Sequence, residues 1–224
     1  MLMDIEGTTT SISFVHEVLF PYASAHLESY VRENIHLPEV LEQIKAVKAT
    51  VLEEFDDVID DQAAIDQLLT WIKEDRKHPA LKNLQGFLWK SGYETGQYRG
   101  HLYEDVLPAW ERWQAQGIGL GIYSSGSVAA QKLLFGYSEK GDLQPYLSHY
   151  FDTKIGHKRE VSSYHNIQKS LSIPVENILF LSDVVQELEA AKAAGFQILH
   201  LLRPGTIAQR GYQAVAHFDL IDLG

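Results

Sequence analysis

Ile178-Leu179-Phe180-Leu181-Ser182-Asp183 is a short apolar run that stops on a hydroxyl and an acid. A run of this length between polar residues reads as a strand buried on both faces. The residues that follow, Val185 to Ala194, read as a helix closed by Gly195, at the position where a left-handed backbone is wanted. Phe196 to Leu202 then reads as another strand before Arg203-Pro204-Gly205. Strand, helix and strand in so short a span make a βαβ unit, and such units build parallel sheets.

The same grammar extends upstream. A helix through Trp110 and Trp113 stops at Gly117, and Ile118 to Tyr123 reads as a buried strand ending in Ser124-Ser125-Gly126-Ser127. A helix over Val128 to Leu134 follows, then a short apolar segment ending near Phe151-Asp152, and a helix over Ser163 to Leu171. The first strand is Met1-Leu2-Met3, which runs into Asp4-Ile5-Glu6-Gly7-Thr8-Thr9-Thr10. It is short enough to read as a frayed edge, or as a strand whose upstream residues are absent from this sequence.

Between these parts the pattern is helical throughout. Val40, Ile44, Val47, Val51 and Phe55 share one face, and Ile65, Leu68, Leu69 and Ile72 share another. Residues 14–35 and 80–100 read as helical too, with Pro21 bending or breaking the first. The expected fold is therefore α/β, a doubly wound Rossmann-like parallel sheet with an all-helical cap inserted after the first strand. The expected domains are residues 1–13 with 101–224 as the catalytic core, and 14–100 as the cap.

Composition removes several classes of function. A formal charge of −11 over 224 residues argues against a nucleic-acid partner. No apolar run approaches the roughly 20 residues that span a bilayer. With no cysteine there is no disulfide or thiolate chemistry. The acids at positions 4 and 6, with no basic stretch, do not form a signal peptide. The expected address is the cytoplasm, and no exposed apolar repeat demands a dimer, so a monomer is expected.

Three strand ends carry polar residues: Asp4 with Glu6, Ser124 with Ser125, and Asp183. Ligands of doubly wound sheets bind beyond the carboxyl ends of the strands. Asp4 suits a nucleophile that forms an aspartyl phosphate, and Glu6, on the same side of the strand end, suits a proton shuttle. Ser124, Ser125 and Gly126 are placed to hold phosphate oxygens at a helix start. Lys158 can offset charge at phosphorus, with Lys154 a rival for the role. Asp4, Glu6 and Asp183 together call for a hard cation, one Mg²⁺ per chain, with Glu187 behind them. Each residue also has a plainer reading: Ser124 and Ser125 as helix caps, Lys158 as a solvated lysine, Asp183 as an N-cap.

The order acid pair, hydroxyl, lysine, acid resembles the haloacid-dehalogenase-like phosphohydrolases. The resemblance rests on Asp4-x-Glu6-x-Thr8, Ser124, Lys158 and Ser182-Asp183-Val184-Val185-Gln186-Glu187. Most of that family has Asp where Glu6 stands here. The strings Asp-Ile-Glu-Gly-Thr-Thr-Thr from Asp4, Tyr123 to Ser127 and Phe151 to Lys158 are similar to its enolase–phosphatase branch in methionine salvage. That resemblance implies a Mg²⁺-dependent, two-part reaction on a small phosphorylated diketone, 2,3-diketo-5-methylthiopentyl 1-phosphate. The substrate is enolised and then dephosphorylated to the acireductone, while the cap closes and reads the methylthio tail. Trp89, Lys90, Tyr93 and Glu94 are the candidate cap contacts. The alternatives are a general small-molecule phosphomonoesterase, a dehalogenase and a phospho-aspartate signalling module.

Overall fold

The computed structural model describes residues 1–223. It divides into two compact units: Met1–Phe14 with Arg99–Gly224, and Val15–Tyr98. The first holds a six-stranded sheet of β1 (Leu2–Met3), β2 (Gly121–Tyr123), β3 (His149–Phe151), β4 (Leu179–Ser182), β5 (Gln197–Leu201) and β6 (Ala214–Val215). Their order is β3-β2-β1-β4-β5-β6, and every pairing is parallel.

β1 is not an edge. It lies at the centre, with Leu2 opposite Gly121 on one side and Phe180 on the other. The expectation of a frayed edge is thus corrected: two residues suffice because both flanks are hydrogen-bonded and both side chains are buried. β2 is shorter than the apolar run from Ile118, since only its last three residues pair in register with β3. β6 had no counterpart in the sequence reading, being two half-buried residues after a polar stretch.

A single turn, α1 (Ile12–Phe14), follows the acidic loop. The second unit opens with a π-helical stretch, Val15–Leu19, and continues as α2 (Phe20–Asn34). The change of helix type falls just before Pro21, whose missing N–H cannot donate back to the preceding helical turn. Three more helices complete the unit: α3 (Pro38–Phe55), α4 (Asp61–Lys73) and α5 (Pro79–Glu94). Leu27 and Val31, Val40, Ile44 and Val47, Ile65, Leu68 and Trp71, and Leu84 and Leu88 form its core. Phe55, assigned by periodicity to the buried face of α3, is 63% exposed. It is the last residue of the helix, where Asp56 turns the chain in a left-handed conformation and the packed face ends.

His78 caps α5. Its Nδ1 accepts the Ala80 N–H at 3.2 Å, its Nε2 lies 3.0 Å from Thr50 Oγ1, and its ring packs on Trp71. This role needs a neutral ring, because a protonated Nδ1 cannot accept. Burial and then the Arg76 guanidinium hold its pKa below the ordinary 6.5, with Glu54 acting in the opposite sense.

Back in the first unit, α6 (Val106–Ala115), α7 (Val128–Gly136), α8 (Val161–Leu171) and α9 (Val185–Ala193) connect the strands. A buried ion pair ties its two ends together. Arg203 Nη1 reaches both carboxylate oxygens of Asp105, at 3.0 and 2.8 Å, and Nε donates to the carbonyl of Thr8 at 2.9 Å. The guanidinium also lies over the Tyr103 ring, 4.2 Å from its centroid. The turn after Asp4 is therefore held by a residue far along the sequence.

Two outcomes follow from these contacts. The unfolded chain protonates His78 before the folded one does, so this group's contribution is present above about pH 6.5 and is lost as pH falls. The urea midpoint of the wild type will drop between about pH 7.5 and 5.5, and His78→Asn, which keeps a cap acceptor without titrating, will flatten that drop. Asp105→Ala leaves Arg203 charged and buried, and will cost about 3–5 kcal/mol in chemical denaturation at neutral pH.

Candidate active site

The turn that follows β1 winds around one carbonyl. The N–H groups of Thr8, Thr9 and Thr10 all point to the carbonyl of Ile5, at 3.1, 2.9 and 2.9 Å, and Gly7 N–H closes the loop on Thr10. Gly7 is required here twice over. Its φ of +70° is a left-handed conformation, and a Cβ would stand 2.2 Å from Asp183 Oδ2. The absence of a side chain at Gly7 is what lets Asp183 come up against the turn after Asp4. Asp4 is fixed from β4 by its own N–H, which donates to the Leu181 carbonyl at 2.9 Å.

Three of the expected residues meet in one buried cluster. Lys158 Nζ lies 2.5 Å from Asp4 Oδ1 and 2.7 Å from Glu187 Oε2. Asp4 Oδ1 also accepts the Ile5 N–H, and Glu187 Oε2 accepts the Ser182 hydroxyl at 3.0 Å. Lys158, Asp4 and Glu187 are all less than a tenth exposed. Burial alone would lower the Lys158 pKa, but Asp4 and then Glu187 outweigh it and the net shift is upward. Glu187 moves above the carboxylate range, through burial and then Asp4, which competes with it for the same ammonium. Lys154, the rival by sequence, is exposed and only its backbone takes part, donating to Asp152.

Asp183 completes the group. Burial and then the charge of Asp4 push its carboxyl up to about 7, with a smaller push from Glu6. Its Oδ1 is wholly buried with no hydrogen-bond partner. An orphaned carboxylate oxygen beside a second carboxylate is a donor set that fits a hard divalent cation. Glu6 is half-buried and near enough for its charge to be felt at Asp183, and among the described residues no three His, Cys, Asp or Glu side chains form a group able to hold a metal by themselves.

Ser124 is buried at the end of β2, and its Oγ accepts the Gly126 N–H at 3.1 Å. It does not cap the following helix. That work falls to Ser127, whose Oγ accepts from Ala130, and to Asp152, whose Oδ2 accepts from Val128. The plainer reading of Ser124 thus loses its support. The Gly126 N–H, expected to face a phosphate oxygen, is turned to Ser124 instead, and Ser125 is exposed. Asp152 was not singled out by sequence, although its place after β3 is the same strand-end signal that marked the others.

The four expected cap contacts lie in the helical unit and are engaged there. Trp89 Nε1 donates to the Leu19 carbonyl at 3.0 Å, and Lys90 pairs with Glu94 at 3.8 Å. Tyr93 is 2% exposed and meets Tyr98 edge-on.

The chain was compared with known proteins. A family profile described as haloacid dehalogenase-like hydrolase matches residues 1–195. Enolase-phosphatase E1 of Picosynechococcus sp. is 52% identical, with 99% of this chain and 96% of that protein covered. Enolase-phosphatase E1 of Hahella chejuensis is 51% identical, over 99% of this chain and 94% of that one. Among solved structures, the Unknown transcript 4 protein of Saccharomyces cerevisiae is 35% identical with a TM-score of 0.81, and 98% of each chain is covered. A buried lysine between a strand-end aspartate and a second acid, on this sheet order and with these relatives, places the chain among the haloacid dehalogenase-like hydrolases.

Proposed function

We propose that the protein is an enolase–phosphatase that converts 2,3-diketo-5-methylthiopentyl 1-phosphate to the acireductone 1,2-dihydroxy-3-keto-5-methylthiopentene and phosphate. The observation that carries the reading is the buried Asp4–Lys158–Glu187 cluster with Asp183 beside it. It occurs in a chain about half identical, over almost its whole length, to proteins named enolase-phosphatase.

In this reading Oδ2 of Asp4 attacks phosphorus, because Oδ1 is already held by Lys158 and the Ile5 N–H. The bond from phosphorus to the substrate oxygen breaks, and Glu6 gives that oxygen a proton. Glu6 then takes a proton from the water that cleaves the aspartyl phosphate, releasing phosphate and restoring Asp4. Lys158 keeps the attacking carboxylate oriented and offsets charge on the phosphoryl oxygens. The Ser124 hydroxyl is the side-chain donor proposed for the phosphate.

Mg²⁺ is the proposed metal, held by Asp4 and Asp183, and when bound it supplies charge neutralisation for the phosphate. Two carboxylates at about 4 Å repel by roughly 4 kcal/mol at an effective dielectric near 20, and a phosphate dianion adds to that. One ammonium cannot cancel such a sum. Two protein carboxylates also suit Mg²⁺, which keeps several waters and takes the rest of its shell from substrate oxygens. The helical unit is proposed as the cap, supported by its place in the chain between β1 and β2.

The decisive measurement follows enol absorbance and phosphate release together on the diketo phosphate. Enol formation and phosphate release, both abolished by EDTA and restored by Mg²⁺, are expected. Mg²⁺ will also raise the melting temperature of the wild type, and less so that of Asp183→Asn. Phosphate release from many unrelated monoesters with no enol would favour the general phosphomonoesterase. Gly7→Ala, which drives a methyl group into Asp183, will lower kcat by about 100-fold or more, as expected when reacting groups are displaced by about an ångström.

A further inference from the structure

Lys158 stands in a stretch without regular structure, between β3 and α8. A lysine has a flexible four-carbon stem, so its ammonium is only as well placed as the backbone beneath it. In a helix or strand that backbone would be held by the ladder. Here four successive carbonyls are held by four side chains. Asn166 Nδ2 donates to Ile155 at 3.1 Å, the Tyr123 hydroxyl to Gly156 at 2.9 Å, Ser163 Oγ to His157 at 2.8 Å, and the Tyr164 hydroxyl to Lys158 itself at 2.7 Å.

Two further features lock the same segment. Gly156 has a φ of +138°, and a Cβ there would stand 2.1 Å from Ser163 Oγ, so the segment lies tight against the start of α8. The Tyr123 ring also lies 5.8 Å from Lys158 Nζ. Tyr123, Ser163 and Tyr164 are fully buried, at 0% exposure. Burial holds the Tyr164 hydroxyl well above its ordinary pKa, so it remains a donor over the working range.

We infer that Tyr164 is a positioning residue for the phosphoryl-transfer step, acting through the Lys158 carbonyl, with Tyr123 and Ser163 steadying the carbonyls before it. Satisfying buried carbonyls is a structural task, and it alone would move only stability. The positioning role predicts more, because an ammonium displaced by a fraction of an ångström loses what it offers to phosphorus in the transition state. Interactions made there lower kcat when they are lost and leave ground-state binding as it was.

This inference rests on the phosphatase reading above, and its test is chosen to fail separately. The holoenzyme with Mg²⁺ is assayed on p-nitrophenyl phosphate, which does not depend on recognition of the diketone. Inhibition by orthovanadate, which mimics five-coordinate phosphorus, is set against inhibition by inorganic phosphate. In Tyr164→Phe, kcat will fall about tenfold and the vanadate Ki will rise by a similar factor, while KM and the phosphate Ki stay near wild type. Tyr123→Phe will show the same split more weakly. Ser138→Ala, which removes the hydroxyl donor to Gly141 in the turn after α7, will change melting temperature but none of these constants. A lower melting temperature in Tyr164→Phe with kcat and vanadate Ki unchanged overturns the inference. A wild type that releases no phosphate from the diketo phosphate and does not bind vanadate overturns the phosphatase reading and the inference with it.

Discussion

A buried ammonium cannot be left without anions, and in this chain that requirement joins the sheet centre, the loop after β3 and the first turn of α9. Lys158 reaches Asp4 on one side and Glu187 on the other, and Glu187 is held in turn by Ser182. Pairs of this kind are poor stabilisers, since desolvation of the charges takes back most of what their attraction gives. Well-packed apolar side chains would serve a sheet better. The cluster makes sense as chemistry: it places one carboxylate, oriented and partly neutralised, at the end of a buried strand paired on both sides.

The remaining charge points the same way. Asp183 is raised to about 7 by burial and by Asp4, and one of its oxygens is buried without a partner. That donor set is what the proposed cation would meet. Gly7 makes this possible, since any side chain there would keep Asp183 away.

Much of the core was legible in the sequence because its signals are local. Each of the strands ending at Met3, Tyr123 and Ser182 is a short apolar run, and the polar residue that follows lands at the carboxyl edge of the sheet. What stayed hidden depends on distant partners. Met1 to Met3 carry no mark of being central, because strand order is set by neighbours over a hundred residues away. Lys154 and Lys158 are equivalent as letters and differ only in burial. Arg203, Asp105 and Tyr164 matter through side-chain contacts that no periodicity announces. The Gly126 N–H looked available because the sequence does not show that Ser124 turns back on it.

The central place of β1 also bears on when the site comes into being. The helical unit packs helices that are close neighbours in sequence, and contacts of that kind form early. Asp4 instead waits for the Leu181 carbonyl, and its turn waits for Arg203, which is 195 residues from Thr8. During synthesis from the N-terminus, the residues of the turn after Asp4 are made well before Leu181 and Arg203, which hold them. A chain that ended before β4 and Arg203 would lack the hydrogen bonds that hold Asp4 and the turn after it.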